Sequence, residues 1–221
     1  MIDIDRYLRE LEALLEEQFG ERLVYLGLQG SYLRGEATEQ SDIDVMAVID
    51  GLGPADLDRY RAAIRALPYA DRSCGFLCGR ADLANWPPME ICHLLHSTRD
   101  CRGTLRELVP AWTERDLRNY VKQSVGDLFH EICHRAVHAG PERSAAALPG
   151  AYKRVFYILQ DLHFLRRGVW AATKAELLPL LEGKDRAVLA RAMALSAGEA
   201  PDAADSFALL FAWCQETLAT T

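Results

Sequence analysis

The sequence predicts an α+β fold: a small mixed β-sheet flanked by helices over residues 1–108, followed by an all-α helical bundle over residues 109–221. Three observations predict it. Apolar runs of strand length alternate with helix-period segments through the first half. From about Val109 onward only helical periodicity remains. Half of the 221 residues are hydrophobic, enough for a substantial core, and the length suits one large domain or two small ones.

Taken in order, residues 3–18 place Ile4, Tyr7, Leu8, Leu11, Leu14 and Leu15 at helical spacing with acids outside, and Gly20 is placed to end that helix. Leu23 to Leu28 reads as a short apolar strand, Ser31 to about Gly35 as a helical turn, and Glu36 to Ser41 as a polar loop. Asp44 to Ile49 is a second strand, closed by Asp50-Gly51-Leu52-Gly53-Pro54. Asp56 to Leu67 is a helix and Ser73 to Cys78 a third strand. After the break at Trp86-Pro87-Pro88, Ile91 to His96 fits either a fourth strand or a short helix.

In the second half, Thr113 to Ala139 is one long helical pattern with Gly126 as a candidate interruption. Gly140-Pro141 punctuates the chain and Leu148-Pro149-Gly150 reads as another loop. Ala151 to Arg167 carries a broad apolar face of Tyr152, Val155, Phe156, Leu159, Leu162 and Phe164. Lys174 to Leu181, Asp185 to Leu195 and Ala203 to Leu218 complete the bundle, with no internal repeat or low-complexity segment.

The net charge of −7 and a sequence pI near 5.4 argue against a nucleic-acid partner, which calls for a basic footprint. No apolar run approaches the ~20 residues of a membrane span. The opening Met-Ile-Asp-Ile-Asp-Arg lacks the basic and apolar regions of a signal peptide, so the expected compartment is the cytoplasm. Six cysteines (74, 78, 92, 101, 133 and 214) would stay reduced there, and they read as small buried hydrophobes. Cys74 and Cys78 stand four apart, but no second pair follows at zinc-site spacing.

The chemistry concentrates between Leu28 and Val48. Leu28-Gln29-Gly30-Ser31-Tyr32-Leu33-Arg34-Gly35 joins an apolar run to a Gly-Ser turn, and Asp42-Ile43-Asp44 opens the next strand. Residues i and i+2 of a strand share a face, so Asp42 and Asp44 aim both carboxylates at one spot. Two such anions repel unless a cation sits between them, and hard oxygen ligands suit Mg²⁺. Gly30 permits close backbone approach, and the amides of a turn that opens a helix can cradle phosphate. A phosphate seat beside a metal seat reads as phosphoryl or nucleotidyl transfer.

Gly30-Ser31, Arg34-Gly35 and Ser41-Asp42-Ile43-Asp44, in this order between two strands, resemble the nucleotidyltransferase superfamily that includes DNA polymerase β and the antibiotic nucleotidyltransferases. The match is closest to its small bacterial, aminoglycoside-type members. The resemblance implies an N-terminal nucleotidyltransferase domain, a C-terminal bundle and an active site in the cleft between them. It also implies roles. Asp42 and Asp44 hold Mg²⁺. Gly30, Ser31 and neighbouring amides seat the β- and γ-phosphates, Arg34 adds a bidentate contact, and Ser41 joins the nucleotide-binding set. ATP is the expected donor; an acceptor hydroxyl attacks in line and pyrophosphate leaves.

Members that catalyse transfer usually carry a third carboxylate on a later strand, as metal ligand or general base. Glu90 is the first choice, because it begins the apolar Ile91-Cys92-His93-Leu94-Leu95 stretch expected against the sheet; Asp71 and Asp100 follow. A solvated acid at an element start is the plain alternative for Glu90. Lys153, in Ala151-Tyr152-Lys153-Arg154, resembles the lysine on a C-terminal helix that reaches nucleotide phosphates in related enzymes; a basic pair on a solvated face is its alternative. Lys174 is a lesser candidate, since Thr173 and Glu176 read as a capping box.

A rival motif stands in the second half. His130-Glu131-Ile132-Cys133-His134 fits H-E-x-x-H, in which two imidazoles bind zinc and the glutamate acts as base, and His138 extends the stripe. A histidine-lined polar groove explains it as well, and a zinc protease would leave the Gly-Ser and Asp-x-Asp segments without a role.

The expected function is therefore Mg²⁺-dependent transfer of a nucleoside monophosphate, AMP from ATP, to a hydroxyl of a small molecule. The acidic balance and Glu107, Glu114, Asp116, Asp127 and Glu131 suit a cationic, aminoglycoside-like antibiotic as acceptor. The alternatives are a toxin–antitoxin or regulatory enzyme that modifies a protein, and a catalytically silent nucleotide-binding module. The helices beyond residue 110 favour a self-contained enzyme, and a homodimer remains an open assembly.

Overall fold

The computed structural model describes residues 2–221 and divides into two units, residues 2–111 and Trp112–Thr221. In the first, Asp3 caps helix α1 (Ile4–Phe19) by accepting the Arg6 amide at 3.0 Å, and Gly20 ends it. Its stripe of Tyr7, Leu8, Leu11, Leu15 and Phe19 is buried. Each such side chain contributes roughly 1.5–3 kcal/mol of transfer free energy, so packing rather than intrinsic propensity holds the helix.

The sheet comprises β1 (Leu23–Leu28), β2 (Ile43–Ile49), β3 (Ser73–Gly79) and β4 (Arg99–Arg102) in the order β3-β2-β1-β4. β1 runs antiparallel to β2 and β4, whereas β2 and β3 are parallel. A parallel pair needs a crossover, supplied here by α3 (Pro54–Arg65). Alternation along β2 sorts the core: Ile43, Val45, Ala47 and Ile49 join the α1 stripe and Ala63 of α3. Met46 and Val48 face Tyr25, Cys78 and Leu83 on the other side, where Leu83 belongs to α4 (Arg80–Ala84). Leu94 and Leu95 of α5 (Pro88–His96) pack on that second face.

Of the two readings open for Ile91 to His96, the helix is the one observed, with Pro88 pre-organised in its first turn. The fourth strand is instead Arg99–Arg102, a sheet-edge segment without an apolar pattern. The helical turn near Ser31 is α2 (Gly30–Arg34).

The second unit is helical: α6 (Glu114–His138), α7 (Pro141–Arg167), α8 (Lys174–Leu177), α9 (Gly183–Ser196) and α10 (Ala203–Thr220). α6 runs uninterrupted through Gly126. The loop expected at Leu148-Pro149-Gly150 is corrected, because α7 continues through it. Pro149 is exposed and removes one backbone hydrogen bond, a cost of about 3 kcal/mol, while Leu148, Ala151, Tyr152 and Val155 around it are buried. The helix expected over Lys174 to Leu181 is shorter, giving way to a 3-10 turn at Leu178–Leu180 that contains Pro179.

Polar anchors tie these helices together. The buried Trp213 indole donates to Asp185 Oδ1 at 2.7 Å, Arg166 donates to Asp185 Oδ2 at 2.8 Å, and the Tyr152 hydroxyl donates to the Ser206 carbonyl at 2.7 Å. Among the described residues no helix is long and apolar enough to cross a membrane. The cysteines need a partial correction: Cys78, Cys92 and Cys214 are buried, but Cys74 and Cys101 are exposed. Their positions, on β3 and on edge strand β4, explain why apolar neighbours in sequence did not bury them.

Candidate active site

The site begins where β1 ends. The Gln29 amide donates to the Asp44 carbonyl at 2.9 Å, extending the β1–β2 ladder by one bond. The Gln29 side-chain amide donates to Thr98 Oγ1 at 2.8 Å, and the Thr98 hydroxyl donates to the Leu94 carbonyl at 2.7 Å. Gly30, at φ +69°, then swings the chain into α2. The Gln29 side chain does not cap α2, whose first-turn amides lack partners within the helix.

Asp44 shares the face of β2 that carries Met46 and Val48. Its carboxylate lies directly against Gly30: a Cβ built there would stand 1.9 Å from Asp44 Oδ2 and 2.8 Å from Cγ. Only glycine fits this position, both for its backbone angle and for space. Asp44 is half-buried, and Asp42, one step before β2, is exposed. Two carboxylates fit Mg²⁺ in kind, since it takes one or two carboxylates and completes its shell with water and phosphate oxygens.

The loop leading to Asp42 is tied down. Thr38 donates its amide to Ser41 Oγ at 2.8 Å, and Ser41 returns its amide to the Thr38 carbonyl at 3.1 Å. Arg72, just before β3, donates Nε and Nη2 to the Ser41 carbonyl at 3.1 and 2.6 Å and Nη2 to the Thr38 carbonyl at 3.3 Å. Ser41 is thus a loop-closing residue. Arg72 is a positioning residue that sequence reasoning missed, because nothing local links it to a loop 31 residues upstream. Arg34 Nε donates to Glu36 Oε2 at 3.0 Å, so part of its guanidinium is already engaged.

None of the three acids considered as a third carboxylate joins Asp42 and Asp44 in a metal cage: among the described residues no group of three or more His, Cys, Asp or Glu side chains is placed to hold a metal ion. The strand beside β2 carries no acid, since the register sets Ser73, Cys74 and Gly75 against Ile43, Asp44 and Val45. Asp71 is exposed in the turn before β3. Asp100 accepts from the Tyr25 hydroxyl at 2.7 Å and from the Leu105 amide at 3.3 Å. Burial, then this hydrogen bond to Asp100, push the Tyr25 phenol far above its ordinary range. Glu90 lies in the first turn of α5, where its Oε2 accepts the Trp86 indole N–H at 2.9 Å.

In the second unit Lys153 is exposed on α7. Thr173 and Glu176 form the expected capping box, and Lys174 Nζ lies 5.5 Å from the Phe156 ring centre. Glu131 is clamped by Arg135 at 3.0 Å and Arg154 at 2.8 Å, which removes the free base that a zinc-protease reading of H-E-x-x-H requires. Of the acids expected to suit a cationic acceptor, Glu114 pairs with Arg118, Asp116 caps α6 through Thr113, and Glu131 is engaged as above.

Residues 8–71 match the family model of the nucleotidyltransferase domain. No curated protein matches the chain in sequence. Among solved structures, the fold is similar to that of the spectinomycin adenyltransferase AAD(9) from Enterococcus faecialis, determined with ATP and spectinomycin. The TM-score is 0.62 at 13% identity, over 97% of this chain and 99% of that one.

Proposed function

This chain carries a nucleotidyltransferase domain, and from that premise we propose that it transfers AMP from ATP to a hydroxyl of a small, cationic, aminoglycoside-like molecule with the help of Mg²⁺. The observation that carries the reading is the apposition of Asp44 and Gly30, which sets a carboxylate beside the first turn of α2. Asp42 and Asp44 would hold Mg²⁺, which when bound offsets phosphate charge and makes the α-phosphorus more electrophilic. Ser31 and the first-turn amides receive the terminal phosphates, and Arg34 adds positive charge while Glu36 orients it. Ser41 serves this set by closing the loop that presents Asp42, with Arg72 behind it.

Glu90 enters as the candidate proton acceptor. It sits on α5, which packs on the same sheet face as Asp44, and the Trp86 indole orients one oxygen while leaving the other for a proton. The reading rests on first-unit residues; Lys153 and Lys174 are not needed for it. The likeness to AAD(9) over both units favours a self-contained enzyme and supports a small-molecule acceptor, and the net charge of −7 suits a cationic one. Free thiols and an ATP donor fit the cytoplasm.

A second reading, a catalytically silent nucleotide-binding module, is favoured by the acid-free β3 beside Asp44. One experiment separates the two. The protein is incubated with Mg²⁺, ATP radiolabelled at the α-phosphate and a panel of aminoglycosides and aminocyclitols. Labelled drug, abolished by Asp44→Asn, is the expected result. ATP binding without transfer to any acceptor establishes the silent module, and label on a protein overturns the small-molecule acceptor.

A further inference from the structure

The H-E-x-x-H stripe is left unused by the nucleotidyltransferase reading. His130, His134 and His138 are exposed at successive four-residue steps along the last turns of α6. With Glu131, Arg135 and Arg143 they line a hollow of about 540 Å³ within the second unit. The His134 and His138 ring centres are 4.7 Å apart with planes inclined by 48°, whereas His130 stands 5.9 Å from His134. Among the described residues no hydrogen bond or ion pair engages any of the three rings.

We propose that His134 and His138 form an open two-imidazole chelate for a borderline divalent transition metal such as Zn²⁺, Ni²⁺ or Cu²⁺. Two imidazoles that each bind a tetrahedral metal at about 2.0–2.1 Å from nitrogen hold their ring centres roughly 5 Å apart, close to the spacing observed. The ligands are nitrogen only, because the Glu131 carboxylate is occupied by Arg135 and Arg154. Arg143 adds further positive charge at the hollow. A hard ion held by charge, such as Mg²⁺ or Ca²⁺, gains nothing in these surroundings, whereas a metal held by imidazole coordination does. His138 is the last residue of α6, where the partial negative charge of the helix C-terminus offsets part of the arginine field. Water completes the shell, so the site binds metal without the base needed for hydrolysis.

The test is calorimetric titration of the full chain with Zn²⁺, its accessible thiols alkylated and excess Mg²⁺ present to occupy the aspartates. One equivalent is expected to bind. His134→Ala and His138→Ala should each weaken binding by about tenfold or more, given that loss of even an outer-shell partner of a metal ligand costs 10–100-fold. His130→Ala should bind as the parent does. Absence of Zn²⁺ binding, or binding that survives both histidine substitutions, overturns the site. Equal loss in His130→Ala overturns the two-imidazole assignment. Tripolyphosphate, in place of Zn²⁺, shifting the His134 and His138 NMR signals would make the hollow an anion site and overturn the proposal.

Discussion

Asp44 Oδ2 occupies the space that a side chain on Gly30 would need, 1.9 Å from where its Cβ would start. This contact joins the first turn of α2 to the entrance of β2, the two segments that the sequence pairs as phosphate seat and metal seat. A carboxylate so close to the backbone leaves no room for a side chain at Gly30. It also brings the anion of the protein and the expected anion of the ligand together, an arrangement that a divalent cation stabilises.

Gly30→Ala and Gly35→Ala should differ for this reason. Both glycines have positive φ, +69° and +70°, but nothing lies within 4 Å of a Cβ at Gly35. Gly35→Ala is expected to cost only backbone strain, on the order of 1–3 kcal/mol in urea denaturation. Gly30→Ala carries that cost and displaces Asp44, so titration with ATP and Mg²⁺ should show an affinity loss of about tenfold or more, each tenfold being 1.4 kcal/mol. Equal nucleotide affinity in the two variants would show that the contact with Asp44 does not matter.

Arg72→Ala removes the hydrogen bonds to the Ser41 and Thr38 carbonyls. Hydrogen bonds from a charged donor are each worth about 1.5–3 kcal/mol at most, and partial exposure of Arg72 reduces that. If the loop presents Asp42, the Mg²⁺ concentration for half-maximal activity should rise several-fold while kcat at saturating Mg²⁺ holds. Arg72→Lys should restore part of the difference. A drop in kcat with an unchanged Mg²⁺ requirement would contradict the positioning role.

Glu90→Gln preserves a carbonyl oxygen for the Trp86 indole, so the fold should survive it. A general base contributes about 10²–10⁴-fold, and kcat should fall by that amount with nucleotide affinity intact. Unchanged kcat removes Glu90 from the chemistry and leaves it as the anchor of Trp86.

Asp56 provides a pH test of the first unit. Arg22 donates to its carboxylate at 2.6 and 3.2 Å and the Gly53 amide donates at 3.0 Å; together, with Arg22 first, they hold its carboxyl below the ordinary range. A depressed folded pKa stabilises above the unfolded value of about 3.9 and is lost as pH falls through the folded one. The stability gap between the parent and Asp56→Asn should therefore narrow as pH is lowered from about 5 towards 2. A constant gap across that range would contradict the ion pair.

The thiols should sort by exposure. Burial pushes the Cys78 and Cys214 thiols up to about 12, and Cys92 is buried as well. Mass spectrometry after iodoacetamide treatment of native protein should find label on Cys74 and Cys101. Cys78, Cys92 and Cys214 should react only after denaturation. Cys101 should lag Cys74, because partial burial raises its thiol and it donates to the Arg99 carbonyl at 3.7 Å.

Much of this protein was readable along the chain. The extents of α1, β1 and β2 follow from spacing and end signals carried by neighbouring residues. Gly30 was readable because turn chemistry is local. The structure alone decided what depends on residues distant in sequence. Arg99–Arg102 is a strand because β1 offers it an edge, not because Arg-Asp-Cys-Arg has a pattern. α7 passes through Pro149 because burial on both sides outweighs one lost hydrogen bond. The parallel register of β2 and β3 set Cys74, and no carboxylate, beside Asp44. Periodicity and turn chemistry act over a few residues, so sequence determined α1, β1, β2 and the turn at Gly30. Register and side-chain reach act across the fold, and they decided which groups surround Asp44.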